Sequence, residues 1–158
     1  MISVGIITVS DRASRGQYED RSGPALRQFC EAQGWTVSAQ VIVPDEETLI
    51  GKRTLELAKN CAVVLLSGGT GIAERDVTPD AVRAIAGKEL PGFGEAMRAR
   101  TFERFPNAIL SRNLAAVVGR SLVICLPGSP KGAVECLEVV APAIPHAVEL
   151  LGGRTAHP

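Results

Sequence analysis

The chain has 158 residues, enough for one domain spanning 1–158 with a core that needs no disulfide or metal staple. Lys plus Arg and Asp plus Glu both number 17, so the basic field that holds a nucleic-acid backbone is missing and no nucleic-acid partner is expected. The N-terminal apolar run, Ile2 to Val9, has no basic segment before it, and no stretch approaches a membrane span; a cytoplasmic protein without a membrane partner is expected.

Ile2 to Val9 reads as a strand, followed by a long polar loop from Ser10 to Arg21. A helix comes next, with Ser22 as its cap, Pro24 in its first turn, Leu26, Phe29 and Cys30 on one face, and Gly34 as its stop. Thr36 to Val43 is a second strand that ends at Pro44-Asp45-Glu46-Glu47. Asp45 stands where an N-cap would open a helix reaching about Lys59. Cys61 to Leu66 is apolar and β-branched, the pattern of a strand buried on both faces.

Ser67-Gly68-Gly69-Thr70-Gly71 follows that strand, and the loop runs on through Asp76 and Val77 to Thr78-Pro79-Asp80, where Thr78 caps a short helix ended by Gly87. Glycines let a backbone turn tightly and bring its amides close to an anion, and an open α/β sheet puts its ligands beyond the C-terminal ends of its strands. The loop is neither of the two familiar phosphate fingerprints. Counting from Gly69 and Gly71, the sixth position is Glu74 rather than Gly or Ala, and G-x-x-x-x-G-K-[ST] occurs nowhere.

Pro91-Gly92-Phe93-Gly94 is expected to break the chain before a helix from about Glu95 to Arg104, which Pro106 ends. Leu114 to Val118 and Leu122 to Leu126 flank Gly119-Arg120 as an antiparallel hairpin. After the turn Pro127-Gly128-Ser129-Pro130, helices begin at about Lys131 and are interrupted near Pro142 and Pro145. The alternation predicts a three-layer α/β/α fold with a mainly parallel sheet and one antiparallel hairpin strand.

Cys30, Cys61, Cys125 and Cys136 form no C-x-x-C pair and lie in apolar runs, so they read as buried thiols rather than zinc ligands. The only histidines are His146 and, in the tail, His157, which argues against a histidine-based triad. Chemistry would then rest on carboxylates, backbone amides, cations and a metal. If the strands are parallel, the loops after them meet on one sheet edge. That edge would gather Asp11, Arg12, Asp45, the glycines, Asp76, Ser129 and Lys131, a set suited to a phosphorylated ligand with Mg²⁺.

These loops, together with Tyr18 and Asp20, Arg75-Asp76-Val77-Thr78-Pro79-Asp80, Pro91-Gly92-Phe93-Gly94-Glu95 and Ala108-Ile109-Leu110-Ser111-Arg112, resemble the molybdopterin-binding family, and within it the molybdopterin adenylyltransferases, over nearly the whole chain. The resemblance implies a homotrimer that transfers AMP from Mg²⁺-ATP to the terminal phosphate of molybdopterin and releases pyrophosphate. It implies that Asp45 and Asp76 are the catalytic and metal-binding carboxylates. It implies substrate contacts from Ser10, Asp11, Arg12, Gly68, Gly69, Thr70, Gly71, Thr78, Pro127, Gly128, Ser129 and Lys131, and it leaves room for hand-over to a molybdate-insertion protein.

Each of these residues also has a plainer role to weigh. Asp45 and Thr78 are placed as helix caps, Ser129-Pro130 as an ordinary helix start, and Arg12 and Lys131 as solvated charges. The alternative function is a non-catalytic module that binds or delivers molybdopterin. Retention of both Asp45 and Asp76 favours the enzyme.

Overall fold

The structure, a computed structural model, describes residues 1–153; His157 lies outside them. Strands β1 (Ser3–Val9), β2 (Thr36–Val43), β3 (Val63–Ser67), β4 (Lys88–Glu89), β5 (Ala115–Val118) and β6 (Ser121–Leu126) form one six-stranded sheet in the order β2-β1-β3-β6-β5-β4. β1 pairs in parallel with β2 and β3, and β3 with β6. β5 returns antiparallel to β6 as the expected hairpin, and the two residues of β4, which carry no pattern of their own, pair antiparallel with β5.

The helices are α1 (Asp11–Ser14), α2 (Ser22–Ala32), α3 (Glu47–Ala58), α4 (Thr78–Ile85), α5 (Pro91–Phe102), α6 (Pro130–Val140) and α7 (Ile144–Leu151). Alternation along the strands sorts the core into two layers. Val4, Ile6, Val63, Leu65, Leu122 and Ile124 pack with Leu26, Met97, Leu137 and Ile144, which places α2, α5, α6 and α7 on one face. Ile7, Val64, Leu66 and Val123 pack with Ile50, Ala81 and Val82 of α3 and α4 on the other. The result is the expected three-layer α/β/α fold. All five residues of β3 are buried, as its uninterrupted apolar run requires. No helix among the described residues is long and apolar enough to cross a membrane.

Several expected helix starts are moved by tertiary contacts. Ser10 to Arg21 is not all loop: α1 forms one helical turn there, with Ser10 as N-cap accepting from the Ala13 N–H. Ser22 is not the cap of α2. The Asp20 carboxylate accepts from the Gly23 N–H at 3.0 Å and from the Ser22 hydroxyl at 3.3 Å, so an acidic residue just upstream takes that work. Glu46 rather than Asp45 precedes α3, and Val77 rather than Thr78 precedes α4; neither helix has a side-chain cap bond. Helix α5 begins at Pro91, four positions before the expected Glu95, because a proline fits the first helical position without losing a hydrogen bond. Gly94 inside it is required by close approach, since a Cβ there would collide with the Asn113 carbonyl. Pro106 opens a 3₁₀ turn, Pro106–Leu110, after α5 has already ended.

Candidate functional site

The C-terminal ends of β1, β2, β3 and β6 lie on one edge of the sheet because the four strands are parallel. The chain leaves β1 toward β2 on one side and β3 on the other, so a crevice opens between the loops that follow β1 and β3. The hairpin adds to this edge: antiparallel β5 starts there, which brings Ser111, Arg112 and Asn113 to the same place.

The glycine loop is held by its backbone. Gly68 N–H donates to the Leu126 carbonyl at 3.1 Å, and the Ser67 hydroxyl donates to the Pro127 carbonyl at 2.8 Å, which ties the loop to the turn after β6. Gly68 and Gly69 have φ of 105° and 66°, in the left-handed region. A Cβ on Gly68 would collide with the Val9 carbonyl, and one on Gly69 with the Thr78 hydroxyl. Gly68→Ala is therefore expected to destabilise the fold by about 2–4 kcal/mol, through strain and displacement of the loop together. Equilibrium urea unfolding measures it; a loss below about 1 kcal/mol would show that the loop relaxes freely.

Asp11 and Asp45 clamp the loops after β1 and β2 to each other. The Asp11 N–H donates to Asp45 Oδ2 at 2.8 Å, and the Asp45 N–H donates to Asp11 Oδ1 at 3.0 Å. Asp45 thus serves the N-terminus of α1 instead of capping α3. Arg75 closes over Asp11 with a two-pronged pair at 2.8 and 3.0 Å. That guanidinium holds the Asp11 carboxyl below its ordinary range. Asp45 goes the opposite way. Burial pushes its carboxyl up, the charges of Asp11 and Asp76 push in the same direction, and the hydrogen bond from the Asp11 backbone only partly opposes them.

Asp76 sits in a tight turn in which its Oδ2 accepts from the Ala73 N–H at 2.9 Å and its own N–H donates to the Ala73 carbonyl at 3.0 Å. One oxygen of each carboxylate, Asp45 Oδ1 and Asp76 Oδ1, is left for a ligand. Both residues line a cleft of about 270 Å³ with Ser10, Tyr18, Asp20, Gly68, Gly69 and Gly128. Thr78, 0% exposed, lies under this loop with its hydroxyl unpartnered. A second cleft, of about 260 Å³, adjoins the first at Gly128 and takes Thr70, Gly71, Pro127 and Ser129 into its wall.

The expected site residues divide accordingly. Ser10, Asp45, Gly68, Gly69, Asp76 and Gly128 meet in the first cleft, and Thr70, Gly71, Pro127, Gly128 and Ser129 in the second. Asp11, Arg12, Thr78 and Lys131 line neither. Asp11 acts behind Asp45, and the Arg12 guanidinium stands 5.2 Å from the Tyr18 ring centroid. The Lys131 side chain, 87% exposed, is 3.9 Å from Glu135. Ser129 caps α6, accepting from the Gly132 N–H at 3.1 Å.

Arg112 lies outside the expected set and is the principal fastener of the glycine loop. Its backbone N–H donates to the Thr70 carbonyl at 2.8 Å and its Nε to the Gly71 carbonyl at 2.8 Å. Its remaining donors reach the Asp76 carbonyl and, at 3.0 Å, the Asp80 carboxylate. The guanidinium lowers the Asp80 carboxyl. The sequence signal for Arg112 was topological: a polar residue just before the returning hairpin strand must land on the ligand edge.

Arg112→Ala is expected to cost about 2 kcal/mol at neutral pH, and Arg112→Lys nearly as much, because an ammonium cannot reproduce the fork. Since the folded-state pKa of Asp80 is depressed, its ion-pair contribution is present above the ordinary value of 3.8 and is lost as pH falls through the folded value. The variant's deficit should narrow below that pH in chemical-denaturation curves. A deficit that stays constant down to acid pH would mean that the backbone acceptors, not Asp80, carry the effect.

Taken together, the parallel sheet, the left-handed glycines and the two carboxylates define an open α/β protein with a polar cleft at its strand ends, the place where such sheets receive ligands. The model of the family described as "Probable molybdopterin binding domain" matches residues 5–146. The chain is 44% identical over 157 residues to the molybdopterin adenylyltransferase of Helicobacter pylori strain J99, covering 97% of this chain and 89% of that one. It is 38% identical over 174 residues to the molybdopterin adenylyltransferase of Escherichia coli K12, with 96% and 86% covered. The crystal structure of the molybdopterin biosynthesis enzyme MoaB from Thermus thermophilus superposes with a TM-score of 0.91 at 44% identity, covering 97% of this chain and 98% of that one. The chain belongs to the molybdopterin-binding domain family.

Proposed function

We propose that this chain is a molybdopterin adenylyltransferase: it moves the adenylyl group of ATP to the terminal phosphate of molybdopterin, giving adenylylated molybdopterin and pyrophosphate. The observation that carries the reading is the placement of Asp45 and Asp76, each with a free oxygen, in one cleft with the left-handed glycines. A phosphate oxygen of the pterin attacks the α-phosphorus as the bond to the β-phosphate breaks, and the electron pair leaves on pyrophosphate. The attacking group is already an anion, so no general base is needed, and positioning and charge neutralisation do the work.

Two carboxylates beside a phosphate ligand would repel it unless a cation stands between them. Burial is the main cause that raises the Asp45 carboxyl, and the negative charges of Asp11 and Asp76 add to it. Among the described residues no cluster of three or more His, Cys, Asp or Glu gathers as a closed metal cage, so a hard cation that keeps waters and takes phosphate oxygens fits this pair best. Asp45 and Asp76 are the residues that would hold Mg²⁺, whose charge would stabilise the phosphates as the bond breaks. The glycine-loop amides and the Pro127 to Ser129 turn orient the phosphates, and Arg112 keeps Asp76 in register.

Purified protein given ATP, Mg²⁺ and molybdopterin should release pyrophosphate in proportion to pterin consumed. Tight pterin binding without pyrophosphate would instead identify a delivery module. A cytoplasmic homotrimer, with hand-over of its product to a molybdate-insertion protein, completes the reading. Sedimentation at micromolar concentration should give three times the chain mass, and a monomer would remove the trimer from it.

A further inference from the structure

Asp45 and Asp76 belong to the loops that follow β2 and β3, and β1 stands between those two strands in the sheet. No ladder hydrogen bond joins β2 to β3, so side chains must set how far apart the two carboxylates stand. Arg75 makes that connection. It precedes Asp76 in the chain, and its Nε and Nη2 donate to Asp11 Oδ2 and Oδ1 at 3.0 and 2.8 Å. Asp11 Oδ1 also accepts from the Asp45 N–H at 3.0 Å, and the Asp11 N–H donates to Asp45 Oδ2 at 2.8 Å. A continuous bonded path thus runs from Asp76 through Arg75 and Asp11 to Asp45. No other side-chain hydrogen bond among the described residues joins segment 70–76 to the loops after β1 and β2.

Fold stability gains little from this pair. The side chains of Arg75 and Asp11 are 58% and 21% exposed, and ion pairs open to solvent contribute weakly. The guanidinium fork is already engaged by Asp11, and Arg75 lines neither cleft. We infer that Arg75 is a positioning residue: by holding Asp11, and through it Asp45, against Asp76, it sets the spacing of the two carboxylates and so their preference for Mg²⁺ over a larger cation. The inference rests on the adenylyl-transfer reading for the role of that carboxylate pair. Mg²⁺ requires oxygens at about 2.1 Å in near-ideal octahedral order, whereas Ca²⁺ accepts about 2.4 Å and irregular shells. Two carboxylates on unlinked loops could open to suit either ion. Hydrogen bonds that orient ligand side chains from behind carry much of a site's affinity, and the Arg75 to Asp11 link stands in that position behind Asp45.

Divalent-ion binding to the intact protein in the presence of α,β-methylene-ATP tests this without turnover. Mn²⁺ is followed by paramagnetic relaxation and displaced by Mg²⁺ or by Ca²⁺. Arg75→Ala should weaken Mg²⁺ roughly ten-fold and Ca²⁺ by less than about two-fold, so that the preference for Mg²⁺ falls. Arg75→Lys keeps the charge but not the fork, and should lie close to the alanine variant. Asp11→Asn should weaken Mg²⁺ in the same direction, and combined with Arg75→Ala it should do little more than Arg75→Ala alone, since both break one path. Metal-free affinity for the analogue should not change, and the melting curve of Arg75→Ala should nearly coincide with that of wild type. Equal losses of Mg²⁺ and Ca²⁺ affinity, a lysine variant that behaves as wild type, or additive losses in the double variant would overturn the inference. So would a wild-type protein that binds no divalent ion, or a fall in metal-free analogue affinity in Arg75→Ala, which would make Arg75 a phosphate ligand. Loss of Mg²⁺ preference in Arg75→Ala, in a protein whose wild type releases no pyrophosphate, would instead leave the inference standing and remove the adenylyl-transfer reading.

Discussion

Asp76→Asn is expected to lower adenylyl transfer by roughly 10²–10³-fold while leaving the fold within about 1 kcal/mol of wild type. The two halves of this expectation come from the two oxygens of one carboxylate. Oδ2 accepts from the Ala73 N–H, a task that an amide oxygen performs equally well, so the turn survives. Oδ1 is left for the cleft shared with Asp45, and there an anionic oxygen and a neutral amide differ in what they can do for a cation and for phosphate charge. Pterin affinity should change little. Mn²⁺ affinity, measured by paramagnetic relaxation in the presence of ATP, should fall together with turnover. Wild-type turnover in the variant at saturating Mg²⁺ would reduce Asp76 to a turn residue.

The sheet was legible because its information is local and repetitive. Runs such as 61–66 and 122–126 are short, apolar and β-branched, the pattern of strands buried on both faces, and once those strands are parallel their loops must share an edge. The order of strands and loops along the chain thus places Asp45, the glycines and Asp76 on one edge. The helix starts were harder to read because they are decided by contacts distant in sequence. Helix α1 has four residues and shows no periodicity; its first N–H is satisfied by Asp45, 34 positions away. Gly94 looked like a breaker, yet it sits inside α5 because the Asn113 carbonyl leaves no room for a side chain. Arg112 was visible as part of a motif, but its role depends on the returning hairpin and on acceptors from Thr70 to Asp80. Asp45 and Thr78 illustrate the same limit: spacing offers each as a cap, yet Asp45 serves the N-terminus of α1 and Thr78 is buried with its hydroxyl unpartnered.

Asp45 gives the sharpest test, because its structural and catalytic tasks respond differently to two substitutions. Asparagine retains an oxygen that can accept from the Asp11 N–H, whereas alanine leaves that first-turn donor without its partner. Asp45→Ala should therefore cost about 1 kcal/mol. Asp45→Asn should cost nothing at neutral pH and is expected to be somewhat more stable than wild type there. The sign follows from linkage: burial raises the Asp45 carboxyl above its ordinary 3.8, so the folded state binds the extra proton and wild-type stability from this group declines as pH rises through the folded value. The asparagine variant has no such proton. Its advantage should appear above the folded pKa of Asp45 and vanish below about pH 3.8. Activity should not separate the variants, since neither supplies an anionic oxygen, and both should lose adenylyl transfer together. Denaturation curves at several pH values beside a pyrophosphate-release assay give both readouts. A stabilised, inactive Asp45→Asn would mean that the fold tolerates a buried carboxylate for the sake of the reaction. Full activity in Asp45→Asn, with loss only in Asp45→Ala, would reduce Asp45 to a clamp for α1 and favour the delivery module over the enzyme.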